Sequence, residues 1–206
     1  MEQEQIYFDE EVRGHKLLVT SHIIAHKGKI VQNIEVDCLT ISVYRHSVNA
    51  IPTSASYIIS VGAKGITVEI NTARAGGFFW LGKQQFDRLR VAVVKAVGYR
   101  LLDAAIRKLY AGQELIFEHR RRRITVSPRG VGIEQSGVFR DKELQIPWQS
   151  LRMIPSNGSF ILQSYENNQK INIPTWTMPN NFVFQNLLNT LLDKARYRSL
   201  VSASQI

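Results

Sequence analysis

The stretch QQFDRLRVAVVKAVGYRLLDAAIRKLY, residues 84–110, decides how the rest of the chain is read. Phe86, Leu89, Val93, Val97, Leu101, Ala105 and Leu109 return an apolar side chain every three or four positions, the stripe of a long amphipathic helix. Arg88, Arg90, Lys95, Arg100 and Asp103 fall inside it. Each would cost about 3 kcal/mol near a bilayer midplane, so the stretch does not read as a membrane span. Gly112 terminates the helix, which is expected over 84–111. Arg100, Asp103 and Arg107 lie one turn apart and predict a water-exposed row of ion pairs.

The two flanks of this helix are alike. Before it, apolar β-branched runs at 17–20, 23–25, 30–36, 39–44, 57–61 and 66–70 predict strands, with turns such as His26-Lys27-Gly28-Lys29 and Ala75-Gly76-Gly77. After it come strand-like runs at 115–117, 124–126, 131–134, 160–165 and 170–173. Their turns are Ser127-Pro128-Arg129-Gly130, Ser136-Gly137 and Asn157-Gly158, the last being the strongest hairpin signal in the chain. Phe184, Leu187, Leu188, Leu191, Leu192 and Ala195 then form the stripe of a second helix, with Asn180 as its expected N-cap. Each half therefore reads as an antiparallel meander finished by one helix that can cover its apolar face.

The 206 residues are 44% hydrophobic and 21% charged, ordinary for a folded chain with a sizeable core. The net charge of +9 is the unusual global feature. Up to Gly112 there are 14 basic and 10 acidic residues, and beyond it 12 and 7, so the halves carry +4 and +5. An excess shared in this way disfavours a dedicated nucleic-acid arm. Cys38 is the single cysteine, which excludes an intramolecular disulfide, and its neighbours Val36, Leu39 and Ile41 predict a small buried side chain in a strand. The start Met1-Glu2-Gln3-Glu4-Gln5 is unlike a secretory signal, and a cytoplasmic location is expected.

Residues 113–198 resemble bacterial pleckstrin-homology-like (PH-like) families of unknown function. The resemblance is carried by Ser127-Pro128-Arg129-Gly130-Val131, Ile146-Pro147-Trp148, Asn157-Gly158, Ile173-Pro174 and Asn180-Asn181. The first half is similar more loosely, through Val19-Thr20-Ser21-His22-Ile23-Ile24 and Lys27-Gly28-Lys29. The resemblance implies a mainly β protein with helices (α+β): two PH-like sandwich or barrel modules in tandem, 1–112 ending in helix 84–111 and 113–206 ending in helix 181–198. It implies a fold more than a ligand, since PH-like domains bind phosphoinositide headgroups, peptides or other proteins.

Catalytic chemistry is absent from the sequence pattern. There is no phosphate-binding glycine loop, nucleophile elbow or Cys-x-x-Cys pair. His22 and His26 have the spacing that chelates zinc on a helix, but in a strand it parts the rings by about 13 Å. Asp9, Glu10 and Glu11 cluster without a pocket to separate their pKa values. No enzyme, metal or cofactor is expected. The sharpest polar feature is Arg120-Arg121-Arg122-Arg123 after His119. The resemblance puts this run on the hairpin where lipid-gripping PH domains carry their basic residues. With Arg129, Arg140 and Lys142 it makes an expected site for an anionic headgroup or an acidic partner, held by bidentate guanidinium contacts. A solvated hairpin is the plainer reading of such a run. Trp80, Trp148 and Trp176 are expected as core or rim packing.

The expectation is a non-enzymatic cytoplasmic binding protein. Its first expected partner is another protein, taken as a strand at a sheet edge or in the groove between edge and helix, an immunity-type inhibitor being one instance. The alternative is an anionic membrane surface, at the inner face, reached through Arg120 to Arg123. Nucleic acid is disfavoured because no aromatics interleave the arginine run.

Overall fold

Alternating burial makes the strands, and basic-glycine pairs make three of the turns in the first half. The computed structural model describes residues 4–48, 51–72, 74–75, 79–136, 142–156, 159–174 and 178–193. β1 (Ile6–Val12), β2 (His15–Thr20), β3 (Ile23–His26) and β4 (Lys29–Gln32) pair antiparallel in chain order. Val12 pairs with His15 and His26 with Lys29, which leaves the two-residue loops Arg13-Gly14 and Lys27-Gly28, with all four residues at positive φ. Such turns match the right-handed twist of the strands they join, and glycine takes the second position without strain. A 3-10 turn, Asn33–Glu35, leads to a second sheet of β5 (Cys38–Val48), β6 (Ile51–Ala63) and β7 (Ile66–Asn71), with the short β8 (Arg74–Ala75) on β6. Lys64-Gly65 repeats the same turn between β6 and β7. Cys38 opens β5 and is half-buried.

Leu17, Val19, Ile24, Leu39, Ile59 and Ile70 are wholly buried in this unit, each contributing roughly 1.5–3 kcal/mol by transfer from water. α1 (Phe79–Val93) lies on β1, β2 and β6 and brings in Phe86, whose ring meets Tyr57 at 5.1 Å. Its rim is fixed by charge. Arg88 donates from Nε and Nη2 to the two Glu10 oxygens at 3.0 and 2.8 Å, and Gln85 donates to the Glu11 carbonyl at 2.9 Å. The bond from Arg88 holds the Glu10 carboxyl below its ordinary range. Part of the acidic run at 9–11 is thus a helix anchor.

The helix starts at Phe79, earlier than residue 84, and reaches Tyr110 through α1, a π segment (Val94–Gly98) and α2 (Tyr99–Tyr110). The run at 78–81 is too short to show a period, so continuity with the helix decides its type. The π segment has a cause in the sequence. From Leu89 to Leu109 the apolar positions are spaced by four, each step overshooting an α-turn by about 40°, so the stripe would drift roughly 200° around the axis. One extra residue in a turn takes back about 100° of that drift, and Leu89, Val93, Val97, Leu101, Ala105 and Leu109 are all buried. Arg100 leaves the expected ion-pair row. Its Nη2 donates to the carbonyls of Asn33 and Val36 at 2.8 and 2.5 Å, because the 3-10 turn presents both to it, while Arg107 and Asp103 form the expected pair.

The chain divides into two compact units, Met1–Leu101 and Leu102–Ile206, with the division inside the helix. The second unit repeats the element order of the first. β9 (Leu115–His119), β10 (Arg122–Ser127), β11 (Gly130–Gln135) and β12 (Lys142–Pro147) form one meander. A 3-10 turn, Trp148–Ser150, precedes a second meander of β13 (Leu151–Ser156), β14 (Ser159–Ser164) and β15 (Lys170–Pro174), and α3 (Asn181–Leu192) follows. The described chain is therefore mainly β, in four antiparallel sheets, with one long and one short helical stretch. Phe184 on α3 packs against Phe117 on β9 at 5.0 Å. Trp148 is buried, as expected of a packing residue, and its Nε1 donates to the Ser127 carbonyl at 3.0 Å.

Asn180 is not the side-chain cap that its position predicts. Its backbone is left-handed (φ 57°, ψ 30°) rather than in the extended conformation of side-chain-capping residues, and it makes no side-chain cap bond. The side chain of Trp80, and residues Trp176 and Asn157-Gly158, lie outside the described residues, as does the stretch expected to extend the last helix to 198. Ser156 pairs with Ser159 across the Asn157-Gly158 loop.

Two stability predictions follow from these contacts. A Cβ on Gly130 (φ +157°) would stand 2.2 Å from the Ile146 carbonyl oxygen, a backbone atom that cannot swing aside. Gly130→Ala should therefore cost about 2 kcal/mol or more in urea unfolding; a loss under about 0.5 kcal/mol would contradict this packing. The Glu10–Arg88 pair is largely solvent-exposed (side chains 36% and 57%), so screening reduces Glu10→Gln to a loss of about 0.5 kcal/mol near neutral pH. A depressed folded pKa stabilises above the ordinary carboxyl range and stops doing so as pH falls through the folded value. The gap between wild type and variant should accordingly close in acid.

Candidate functional site

The arginine run becomes a turn because His119 pairs with Arg122, leaving Arg120 and Arg121 as the two loop residues. Arg120 takes a left-handed φ of 54°, as Arg13, Lys27 and Lys64 do at the first loop position of the turns in the first unit, at a cost of order 1 kcal/mol for a residue with a Cβ. Beyond the turn the strand period of two separates the remaining pair. Arg122 shares its face with the buried Ile124 and Val126, whereas Arg123 points outward, 4.0 Å from Glu134. The four arginines therefore do three different things.

Arg122 is half-buried and spent on structure. Its Nε donates to Gln135 Oε1 at 3.2 Å, and its Nη1 donates to the Asn172 carbonyl. The first bond fixes the Gln135 amide with its oxygen toward Arg122 and its NH2 turned away. The Ser136 amide donates to the Arg121 carbonyl at 2.9 Å, which ties the hairpin loop to the end of β11. Around this end of the sheet lies an open recess of about 560 Å³, lined by His119, Arg120, Arg121, Arg122, Gln135, Ser136, Asn172 and Pro174. Arg120 and Arg121 are exposed at it, and His119 is buried beside it. Those lining residues include no carboxylate.

The other expected site residues part company here. Arg129 sits in the β10–β11 turn, at the far end of β10, about 17 Å along the strand from Arg122. Lys142 pairs with Gln135, which puts its backbone at the recess end of β12, while its side chain and Arg140 are outside the described residues. Gln135, Ser136, Asn172 and Pro174 join the site though none was expected there; they lie from 13 to 52 residues beyond Arg122 along the chain and arrive by strand register.

Among the described residues the histidines form no chelating set. Among the described residues there is no group of three or more His, Cys, Asp or Glu placed to hold a metal ion. His22 lies in the β2–β3 turn, where its amide donates to Thr20 Oγ1 at 3.1 Å. His26 is buried edge-on to His15 at 6.1 Å, and burial pushes its pKa down.

Arg122→Ala should lower stability by about 1–2 kcal/mol, because it orphans the Asn172 carbonyl and the Gln135 oxygen, whereas Arg123→Ala should cost under about 0.5 kcal/mol. Equal losses in paired thermal melts would contradict this division of labour between Arg122 and Arg123. No family model, curated protein or solved structure matches this chain.

Proposed function

We propose that the chain is a non-catalytic binding protein of two PH-like units in tandem, and that the arginine recess of the second unit receives an anionic group displayed by a protein partner. One observation carries this reading. The described lining of the recess includes two exposed arginines, Arg120 and Arg121, and the Gln135 amide, and those lining residues include no carboxylate. An acidic or phosphorylated side chain is the ligand such donors fit, since charge-assisted bonds contribute about 1.5–3 kcal/mol each. The repeated order of a four-strand meander, a 3-10 turn, a three-strand meander (with the short β8 added in the first unit) and a helix supports the tandem PH-like part of the proposal.

The same recess carries the alternative of an anionic lipid headgroup. Magnitude favours the protein partner. With Arg122 engaged by Gln135 and Asn172, and Arg123 turned toward Glu134, two arginines at about 1 kcal/mol each would hold a membrane only fleetingly. Location in the cytoplasm, peripheral to the membrane or not, belongs to the same proposal. No helix of the described chain is long and apolar enough to cross a membrane.

Titration with inorganic phosphate, then with an acidic and a phosphoserine peptide, should shift the backbone amides of Arg120, Arg121, Gln135 and Ser136 together. The response should weaken as salt rises and disappear in Arg120→Ser/Arg121→Ser. Shifts scattered over the surface, or retained in that variant, would overturn the proposal. Vesicle flotation that depends on the same two arginines would favour the lipid alternative.

A further inference from the structure

The outer face of the second unit's first sheet gathers carboxylates into one row. Register sets it: Arg123 of β10 stands opposite Glu118 of β9 on one side and Glu134 of β11 on the other, and Glu134 stands opposite Glu143 of β12. Directly opposite residues of an antiparallel sheet share a face, and all four of these are exposed. Beyond Gly112 the chain has 12 basic and 7 acidic residues, yet three of the seven acids stand here against one arginine. Glu134 and Glu143 face each other as like charges, an arrangement that costs a sheet stability. Arg123 lies 4.0 Å from Glu134, and among the described residues Glu118 and Glu143 form no ion pair. The fold does not neutralise this row.

Its complement stands at the same end of the same sheet. The row lies one residue pair in from His119 with Arg122, and the exposed Arg120 and Arg121 form the turn just beyond, within about 7 Å along the strands. A cationic turn beside an anionic row is complementary to its own copy, because a two-fold axis next to this end sets each turn on the other copy's row. We infer that a second copy of this chain docks here, with Arg120 and Arg121 of each protomer meeting Glu118, Glu134 and Glu143 of the other. The inference rests on the reading of the recess as the receiver of an anionic group on a protein, and it names that protein.

Charge narrows the occupants of this face. A nucleic acid or an anionic membrane would meet three carboxylates. A metal ion would have to displace the Arg123 guanidinium from the middle of the row, and no group of three or more His, Cys, Asp or Glu among the described residues is placed to hold one. A basic segment of another protein would answer the row but leave Arg120 and Arg121 unanswered, whereas a second copy answers both. Ile116, two positions before Glu118 on the same face and 48% exposed, adds apolar area beside the row.

The test is sedimentation equilibrium of the full chain from about 10 to 500 µM protein, in about 20 mM and about 200 mM salt. The low-salt samples should hold a monomer–dimer equilibrium whose dissociation constant rises about tenfold or more at the higher salt. Arg120→Glu/Arg121→Glu and Glu134→Lys/Glu143→Lys should each be monomeric alone, because turn and row then carry the same sign. Mixed in equal amounts they should dimerise again, since each turn now meets a row of opposite sign. Circular dichroism should show both folded, the altered residues being exposed. A variant that is misfolded is replaced by Arg121→Ser or Glu143→Gln, either of which should weaken the dimer severalfold. A folded wild type that stays monomeric, a dimer that a swapped variant retains, or swapped variants that do not dimerise when mixed would each overturn the inference. A monomer whose recess amides still answer phosphate and the acidic peptide overturns the self-association alone, whereas a monomer whose amides stay silent overturns the recess reading with it.

Discussion

A small antiparallel meander has an apolar face that its own strands cannot cover, and that constraint shapes both units of this chain. In the first, α1 answers it by lying on β1, β2 and β6, where Phe86 meets Tyr57. In the second, α3 brings Phe184 against Phe117 of β9. Each helix follows its two meanders in the chain, so the apolar face and the segment that covers it come from neighbouring parts of the sequence. The 3-10 turn between the meanders recurs at the same place in each unit, where the chain passes from one sheet to the next.

Charge in this protein is divided between holding and presenting. Arg88, Arg100 and Arg122 each reach back to a partner that a strand or turn places for them: the Glu10 carboxylate, the carbonyls of Asn33 and Val36, and Gln135 with Asn172. Arg120, Arg121 and Lys27 sit in hairpin turns and stand exposed. A two-residue turn projects its side chains beyond the last hydrogen-bonded pair, and there they meet solvent or a ligand before they meet their own sheet. Much of the basic excess therefore lies at the ends of sheets, on loops positioned by rigid strands.

Most of the fold was legible because its signals are local. The helix stripe from Phe86 to Leu109, the turn at Lys27-Gly28 and the alternation around Ile171 and Ile173 each need only neighbouring residues to be seen. The π segment was legible in principle, since a spacing of four maintained over five steps cannot stay on one face of a regular α-helix. Arg100 was not. It was expected beside Asp103 and Arg107, but two carbonyls more than 60 residues upstream in the chain outcompete a solvated ion pair, because bonds made at a half-buried site lose less to water.

The sequence by itself determined the strand and helix pattern, the doubled order of elements and the location of the arginine hairpin, because propensity and periodicity act between residues a few positions apart. Only the tertiary structure decided what each arginine does. Strand register is a long-range quantity: pairing Arg122 with His119 and Gln135 put one guanidinium to work inside the sheet, left two exposed at a recess and sent the fourth to the opposite face.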